Sequence, residues 1–177
     1  MKEIARTTTL KDLAVMVAVT LQSNDIDAVL VGGAAVSLYS DNVYQTYDLD
    51  YVTRHTEAAL SAALQPLGFI RSPGSRHWIH PETDFMIEFP GDSLSFGETD
   101  MPFSSATTLS LSSGSIRVIT PTQSVMDRLA AFTHWNDRQS LEQAKMISAD
   151  NSIDWVLLHQ WALTEGIDAS IIDNIKP

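Results

Sequence analysis

Apolar positions along the chain fall into two rhythms, and the change between them divides it. Leu10, Leu13, Ala14, Val17, Ala18 and Leu21 recur at helical spacing behind the hydroxyls of Thr7 to Thr9, which predicts a first amphipathic helix running to about Ser23. Ala28-Val29-Leu30-Val31 is an apolar run of strand length ended by Gly32-Gly33, and Ala34 to Tyr39 read as a short helix. Past a polar loop over residues 40–46, Tyr47-Asp48-Leu49-Asp50-Tyr51-Val52 alternates strictly, the signature of a strand. A helix follows from Thr56 to Leu64, closed by Pro66 and Gly68. Phe69 to Arg71, His77 to His80 and Phe85 to Phe89 give three further strands. Residues 90–106 carry Pro, Gly, Asp and Ser without period and are expected to be a loop. Thr107 to Leu111 and Ile116 to Ile119 flank Ser-Ser-Gly-Ser, a hairpin pattern.

From Pro121 the period becomes helical. Val125, Leu129, Phe132 and Trp135 mark one apolar face, and residues 138–149 and 152–165 read as two more helices before a short last one. The expected architecture is therefore α/β (α+β). A mixed twisted sheet flanked by helices occupies residues 1–120, and a C-terminal helical segment over residues 121–177 packs on it.

The acids on these elements carry the chemistry. Residues two apart on a strand share a face, so Asp48 and Asp50 emerge side by side while Leu49 and Tyr51 point into the core. Two neighbouring anions on a mostly apolar strand are costly unless a cation neutralises them, and oxygen ligands of this type suit Mg²⁺ or Mn²⁺. A solvated edge strand is the plain alternative, weakened because strands disfavour Asp. Glu88, the one acid in Met86-Ile87-Glu88-Phe89, is placed either as a third ligand or as the base for an attacking hydroxyl. Asp84, at the start of the same strand, competes for that place. Gly32 and Gly33 stand between a strand and a helix, where a tight turn and free helix N–H groups favour an anion; close helix packing explains the same pair without function. His77 and His80, three apart on a strand, point to opposite faces and make poor co-ligands, while His134 and His159 lie on helices as partly buried polar groups.

Composition narrows the partners. The 177 residues hold 11 Lys plus Arg against 22 Asp plus Glu, a net charge of −11. Such a surface repels phosphate backbones at long range, so an extended nucleic-acid platform is not expected. Hydrophobic residues make up 44%, enough for a buried core. There is no cysteine, hence no disulfide and no thiolate metal site. No apolar stretch has the roughly 20 residues needed to cross a bilayer, and the first residues lack the apolar core of a secretory signal; a cytoplasmic protein is expected.

Taken together, V-L-V-G-G-A-A-V-S-L, T-Y-D-L-D-Y-V and M-I-E-F resemble the nucleotidyltransferase superfamily with the polymerase-beta-like fold. More narrowly, P-T-Q-S-V-M-D-R-L-A-A-F and W-N-D-R-Q-S-L-E-Q-A are similar to the helical segment of AbiEii-type nucleotidyltransferases. Many of those are toxins of toxin–antitoxin or abortive-infection systems. The resemblance covers about residues 26–150. It implies that Asp48, Asp50 and Glu88 bind two divalent ions, and that Gly32 and Gly33 cradle the triphosphate of an NTP. The NMP would then pass to an acceptor (small molecule, protein or RNA) with loss of pyrophosphate. It also implies a cognate antitoxin or partner protein. Arg128 matches a position where relatives carry a basic residue, usually Lys, and would meet the phosphates; an ion pair with Asp127 is the alternative. The chain departs from that pattern at Tyr44 and Gln45, where relatives commonly place an Arg before the acid pair. Two other functions use the same residues: a catalytically inactive binding or antitoxin module, and a phosphotransferase that moves the γ-phosphate.

Overall fold

A computed structural model describes residues 3–177. Helix α1 spans Leu10–Ser23, with the Thr9 hydroxyl accepting from the Asp12 amide at 3.1 Å as its N-cap. Strand β1 is Ala28–Val31, helix α2 Gly32–Tyr39, strand β2 Asp48–Thr53 and helix α3 Glu57–Leu64. A 3₁₀ turn at Gln65–Leu67, stopped by left-handed Gly68, leads into β3 (Ile70–Arg71), β4 (His77–His80) and β5 (Thr83–Glu88). Then come β6 (Leu94–Phe96), β7 (Thr99–Met101), β8 (Thr107–Leu111) and β9 (Gly114–Val118). Four helices follow: α4 (Pro121–Trp135), α5 (Arg138–Asp150), α6 (Trp155–Thr164) and α7 (Ala169–Ile175). None of the described helices is long and apolar enough to cross a membrane.

Seven strands form one mixed sheet in the order β3-β4-β5-β2-β1-β9-β8, with β2 parallel to β5, β1 parallel to β9 and the other neighbours antiparallel. Central β1 has both Val29 and Leu30 fully buried, as a strand covered on two faces must be. On one face lie α1 and α3; there the Tyr51 hydroxyl, 1% exposed, donates to the Ala14 carbonyl at 3.0 Å. The other face carries α2 and, over it, α4 and α5. Alternation along β2 therefore sends Leu49 and Tyr51 to the α1 side and Asp48 and Asp50 to the α2 side.

Two sequence expectations are corrected. Residues 90–106 are not a plain loop: β6 and β7 make a separate two-stranded hairpin, followed by a 3₁₀ turn at Phe103–Ser105. Each strand is three residues long, too short to display a period, and the two-residue Gly97-Glu98 turn places only the glycine at positive φ. The hairpin is fixed to the C-terminal helices, with Trp161 Nε1 donating to the Phe96 carbonyl at 3.0 Å and the Glu98 amide donating to Glu165 at 3.0 Å.

Helix α2 begins at Gly32 rather than at Ala34. Glycines count against helix in a propensity reading, yet Gly32 takes φ +62°, the swing that turns β1 directly into the helix. Space reinforces the requirement, because a Cβ at Gly32 would stand 2.7 Å from Asp50 Oδ2. Gly33 is less constrained, since its Cβ would meet Tyr44 and Thr46 at 3.3 to 3.4 Å. Gly32→Ala should therefore lower the unfolding free energy by at least about 2 kcal/mol, from left-handed backbone strain with the contact added. Gly33→Ala should cost less. Urea midpoints at unchanged slope are the measurement, and equal midpoints for wild type and Gly32→Ala would refute the constraint.

Candidate active site

The register of the sheet assembles the acids. Asp50 stands opposite Val31 of antiparallel β1 and beside Glu88 of parallel β5, so β1 ends and α2 starts where the carboxylate emerges. Paired residues of neighbouring strands share a face. Asp48, Asp50 and Glu88 thus occupy the α2 side together, and His77, which pairs with Glu88, extends the row onto β4. Asp84, the competing acid, is exposed near the start of β5, away from this row.

The side chains of the three acids are not equivalently placed. Asp50 packs against the backbone of Gly32. Its carboxyl is pushed up to about 6, first by burial and then by the charges of Glu88, Asp48 and Asp127, with Arg128 opposing them. Asp48 has Oδ1 buried without any hydrogen-bond partner. Glu88 is 7% exposed and engaged along the same face with β4 and its approach: Arg76 pairs with one oxygen, and His77 Nε2 lies 3.1 Å from the other. Among the described residues no three His, Asp or Glu side chains are already gathered as a metal cage. Asp48 and Asp50 come together as the alternation predicts; Glu88 shares their face but is engaged elsewhere.

The cationic side of the site comes from α4. Its start is fixed by a capping box, the Thr120 hydroxyl accepting from the Gln123 amide at 3.1 Å while the Thr120 amide donates to Gln123 Oε1 at 2.9 Å. Two turns on, Arg128 is 16% exposed, with Nη2 2.6 Å from Asp127 Oδ2, Nη1 3.1 Å from Gln143 Oε1, and Nε buried without a partner. Of the two alternatives the sequence leaves for Arg128, the ion pair with Asp127 is present, and the buried Nε–H has no acceptor. Asp127 enters the sequence reading only as the ion-pair partner of Arg128, and Gln143 does not enter it. Gln143 is 15 residues from Arg128 on another helix, so its part in the site acquires meaning only once α5 is known to pack against α4.

At the start of α2 no side chain caps the helix, so its first amides have no side-chain acceptor. A buried acceptor without a donor on Asp48 and a buried donor without an acceptor on Arg128 are opposite deficits, repaired together by a cation and an anion. The all-oxygen donor set of Asp48 and Asp50 fits a hard divalent ion, and Glu88 joins it only by leaving Arg76 and His77. A cleft of about 280 Å³, lined by Val31, Val52, Pro90, Leu94, Phe96 and Asp127 among others, opens against β6, at the Val31 that pairs with Asp50. A larger one of about 470 Å³, lined by Arg71, Arg76, Trp78 and Glu88 among others, opens at the third acid of the row.

Linkage fixes the sign of the pH effect. A carboxyl whose folded value is raised binds its proton more tightly when folded. It costs nothing below about pH 4, and an increasing amount as pH climbs to 6. Asp50→Asn should therefore be more stable than wild type by about 3 kcal/mol at pH 7.5 without divalent cation, with the gap closing near pH 4. Chemical denaturation at both pH values measures it; a wild type as stable as the variant at pH 7.5 would refute the repulsion.

No protein-family model matches the sequence, and no curated protein sequence matches it. Solved structures do match. An antigenic nucleotidyltransferase-like protein from Paracoccidioides brasiliensis superposes with a TM-score of 0.57 at 20% identity, over 81% of this chain and 75% of that one. The crystal structure of ANT(2″)-Ia in complex with adenylyl-2″-tobramycin gives 0.56 at 12% identity, over 95% and 99%. The solution structure of the antibiotic-resistance factor ANT(2″)-Ia gives 0.52 at 11%, over 90% and 85%. With its mixed sheet, its helix-opening Gly32 and its row of acids beside that glycine, the chain has the nucleotidyltransferase fold.

Proposed function

We propose that the protein is a metal-dependent nucleotidyltransferase that moves an NMP from an NTP to a hydroxyl acceptor. The observation that carries this reading is the pair of opposite deficits around Asp50: the unpartnered oxygen of Asp48 and the unpartnered Nε of Arg128, both buried. Leaving a carboxylate oxygen and a guanidinium nitrogen buried and unpartnered near the same carboxyl is costly, and a metal-bound triphosphate would supply both missing partners. Asp48 and Asp50 would hold the divalent ion, with Glu88 as the third acid, and Arg128 and the α2 amides after Gly32 and Gly33 would hold the triphosphate.

When bound, the ion would neutralise the triphosphate and favour displacement at the α-phosphorus. The acceptor oxygen forms a new bond to that phosphorus as the bond to the α–β bridging oxygen breaks. Pyrophosphate leaves with the electron pair, and the hydroxyl proton passes to a carboxylate of the acid row. The net charge of −11 favours a small acceptor over a long nucleic acid. ANT(2″)-Ia, solved with adenylyl-2″-tobramycin, is a neighbour of the same fold with a small adenylylated molecule.

Thermal shift with each of the four NTPs, with and without Mg²⁺, tests the site. The expected result is Mg²⁺-dependent stabilisation of wild type, about 2.7 kcal/mol at 100 times the dissociation constant, and none for Asp50→Ala. The variant's own higher stability makes the ligand-induced increment the quantity to compare. Pyrophosphate release in the presence of a hydroxyl acceptor distinguishes NMP transfer from transfer of the γ-phosphate, which would leave a nucleoside diphosphate. No shift with any nucleotide at millimolar concentration would overturn the catalytic reading and leave a binding module of the same fold.

A further inference from the structure

Gln143 lies on α5, two helices away from the acid-bearing strands, and is 2% exposed. The buried stripe of α5 is Ser140, Gln143, Ala144, Ile147 and Ser148, the i, i+3, i+4, i+7, i+8 spacing of a core-facing helix. All but Gln143 are small or apolar. A long primary amide buried there costs free energy unless its polar atoms are used, and a methionine or leucine would fill the same volume without that cost. What the amide does is accept from Arg128 Nη1 through Oε1 at 3.1 Å.

That contact completes a two-sided hold on one guanidinium. Asp127, next to Arg128 on α4, takes Nη2 at 2.6 Å, and Gln143 takes Nη1 from the facing helix. With both terminal nitrogens fixed, rotation of the planar group would break two hydrogen bonds together, so the direction of the Nε edge is set by α5 as much as by α4. Nε is the nitrogen that is buried and has no partner. The guanidinium acts electrostatically on Asp50 and also on Asp137, the N-cap of α5, whose carboxyl is held low first by the Ser140 hydroxyl. Arg128 therefore stands between the acid pair and the start of α5.

We infer that Gln143 is a positioning residue for nucleotide binding: it holds the guanidinium of Arg128 so that the free Nε donor meets a phosphate oxygen of the bound triphosphate. The inference rests on the reading of Arg128 as a phosphate ligand and adds that the C-terminal helical segment sets its geometry. Gln143 touches no phosphate itself. Its effect passes through one hydrogen bond, so it is confined to the triphosphate and leaves the acid pair alone.

The test uses the full chain, Mg²⁺ complexes of the four NTPs, and Mn²⁺ without nucleotide as an independent probe of the acid pair. Gln143→Met keeps the volume and removes the acceptor oxygen; Gln143→Asn keeps a buried amide but withdraws it by one methylene. Met and Asn variants are expected to bind the best Mg–NTP about tenfold more weakly, the size of one hydrogen bond to a charged group. Their Mn²⁺ affinity, read by electron paramagnetic resonance, should be unchanged. Should the methionine variant fail to fold, the asparagine variant decides. Wild-type nucleotide affinity in a folded Met or Asn variant overturns the inference while Arg128→Ala remains weak. Equal loss of Mn²⁺ and nucleotide affinity also overturns it, since that would mark a general packing role. Failure of wild type itself to bind any Mg–NTP overturns the reading of Arg128 first, and this inference with it.

Discussion

The close approach of the Asp50 carboxylate to the backbone of Gly32 is the constraint around which the rest is arranged. An atom larger than hydrogen cannot stand on Gly32 Cα without reaching within 2.7 Å of Oδ2, and the chain there swings through φ +62°. The antiparallel pairing of β1 with β2 sets Val31 opposite Asp50, which leaves the first turn of α2 beside the carboxylate. Parallel β5 adds Glu88 on the other flank. Each of these neighbours makes the others harder to tolerate. Burial and three nearby acids push the Asp50 carboxyl up to about 6, so the fold maintains a charged cluster that destabilises it at neutral pH. Such an arrangement has a physical rationale when a cation and an anionic ligand share the site, because both then relieve the repulsion on binding.

Much of this geometry is legible from local pattern. Strict alternation from Tyr47 to Val52 places Asp48 and Asp50 on one face whatever the partners of the strand are, and the structure puts that strand at Asp48–Thr53. The apolar run ending at Gly32-Gly33 gives the strand-to-helix junction, though not the residue at which the helix begins. What local pattern does not carry is the identity of partners across the sheet. His77 is a poor co-ligand for His80, as its spacing indicates, yet it lies opposite Glu88 because a turn after His80 folds β4 against β5. That pairing depends on register, which is set by the turn and a bulge between Trp78 and His80, and neither is written in any single strand. The β6–β7 hairpin escapes notice for a related reason, since three-residue strands hold too few positions for a period. Its stability comes from Trp161 and Glu165, some 65 residues further on. Asp127 and Gln143 are likewise ordinary helix residues until α4 and α5 are laid over the acids.

Cations are scarce in this chain, 11 against 22 acids, and their placement matters more than their number. Arg76 and Arg128 both stand against the acid row, one pairing with Glu88 on the exposed rim and one held between α4 and α5. The two differ in what they leave free. Arg76, three-quarters exposed, can exchange Glu88 for water at little cost, since ion pairs in solvent are weak. Arg128 has little solvent to turn to, and its unpartnered Nε stays a deficit until an acceptor arrives.

The long-range field and the short-range site therefore act on different ligands. A surface of net charge −11 disfavours a polyanion whose charges must spread across it, by an amount that grows with each phosphate brought near. A nucleoside triphosphate carrying a divalent ion presents a small, largely neutralised charge at distance. In the proposed reading it would meet, at contact, two carboxylates on its metal side and a fixed guanidinium on its phosphate side. The same acidity that disfavours long nucleic acids would thus favour a chelated mononucleotide, and that discrimination would require no group beyond those the sheet and α4 already bring together.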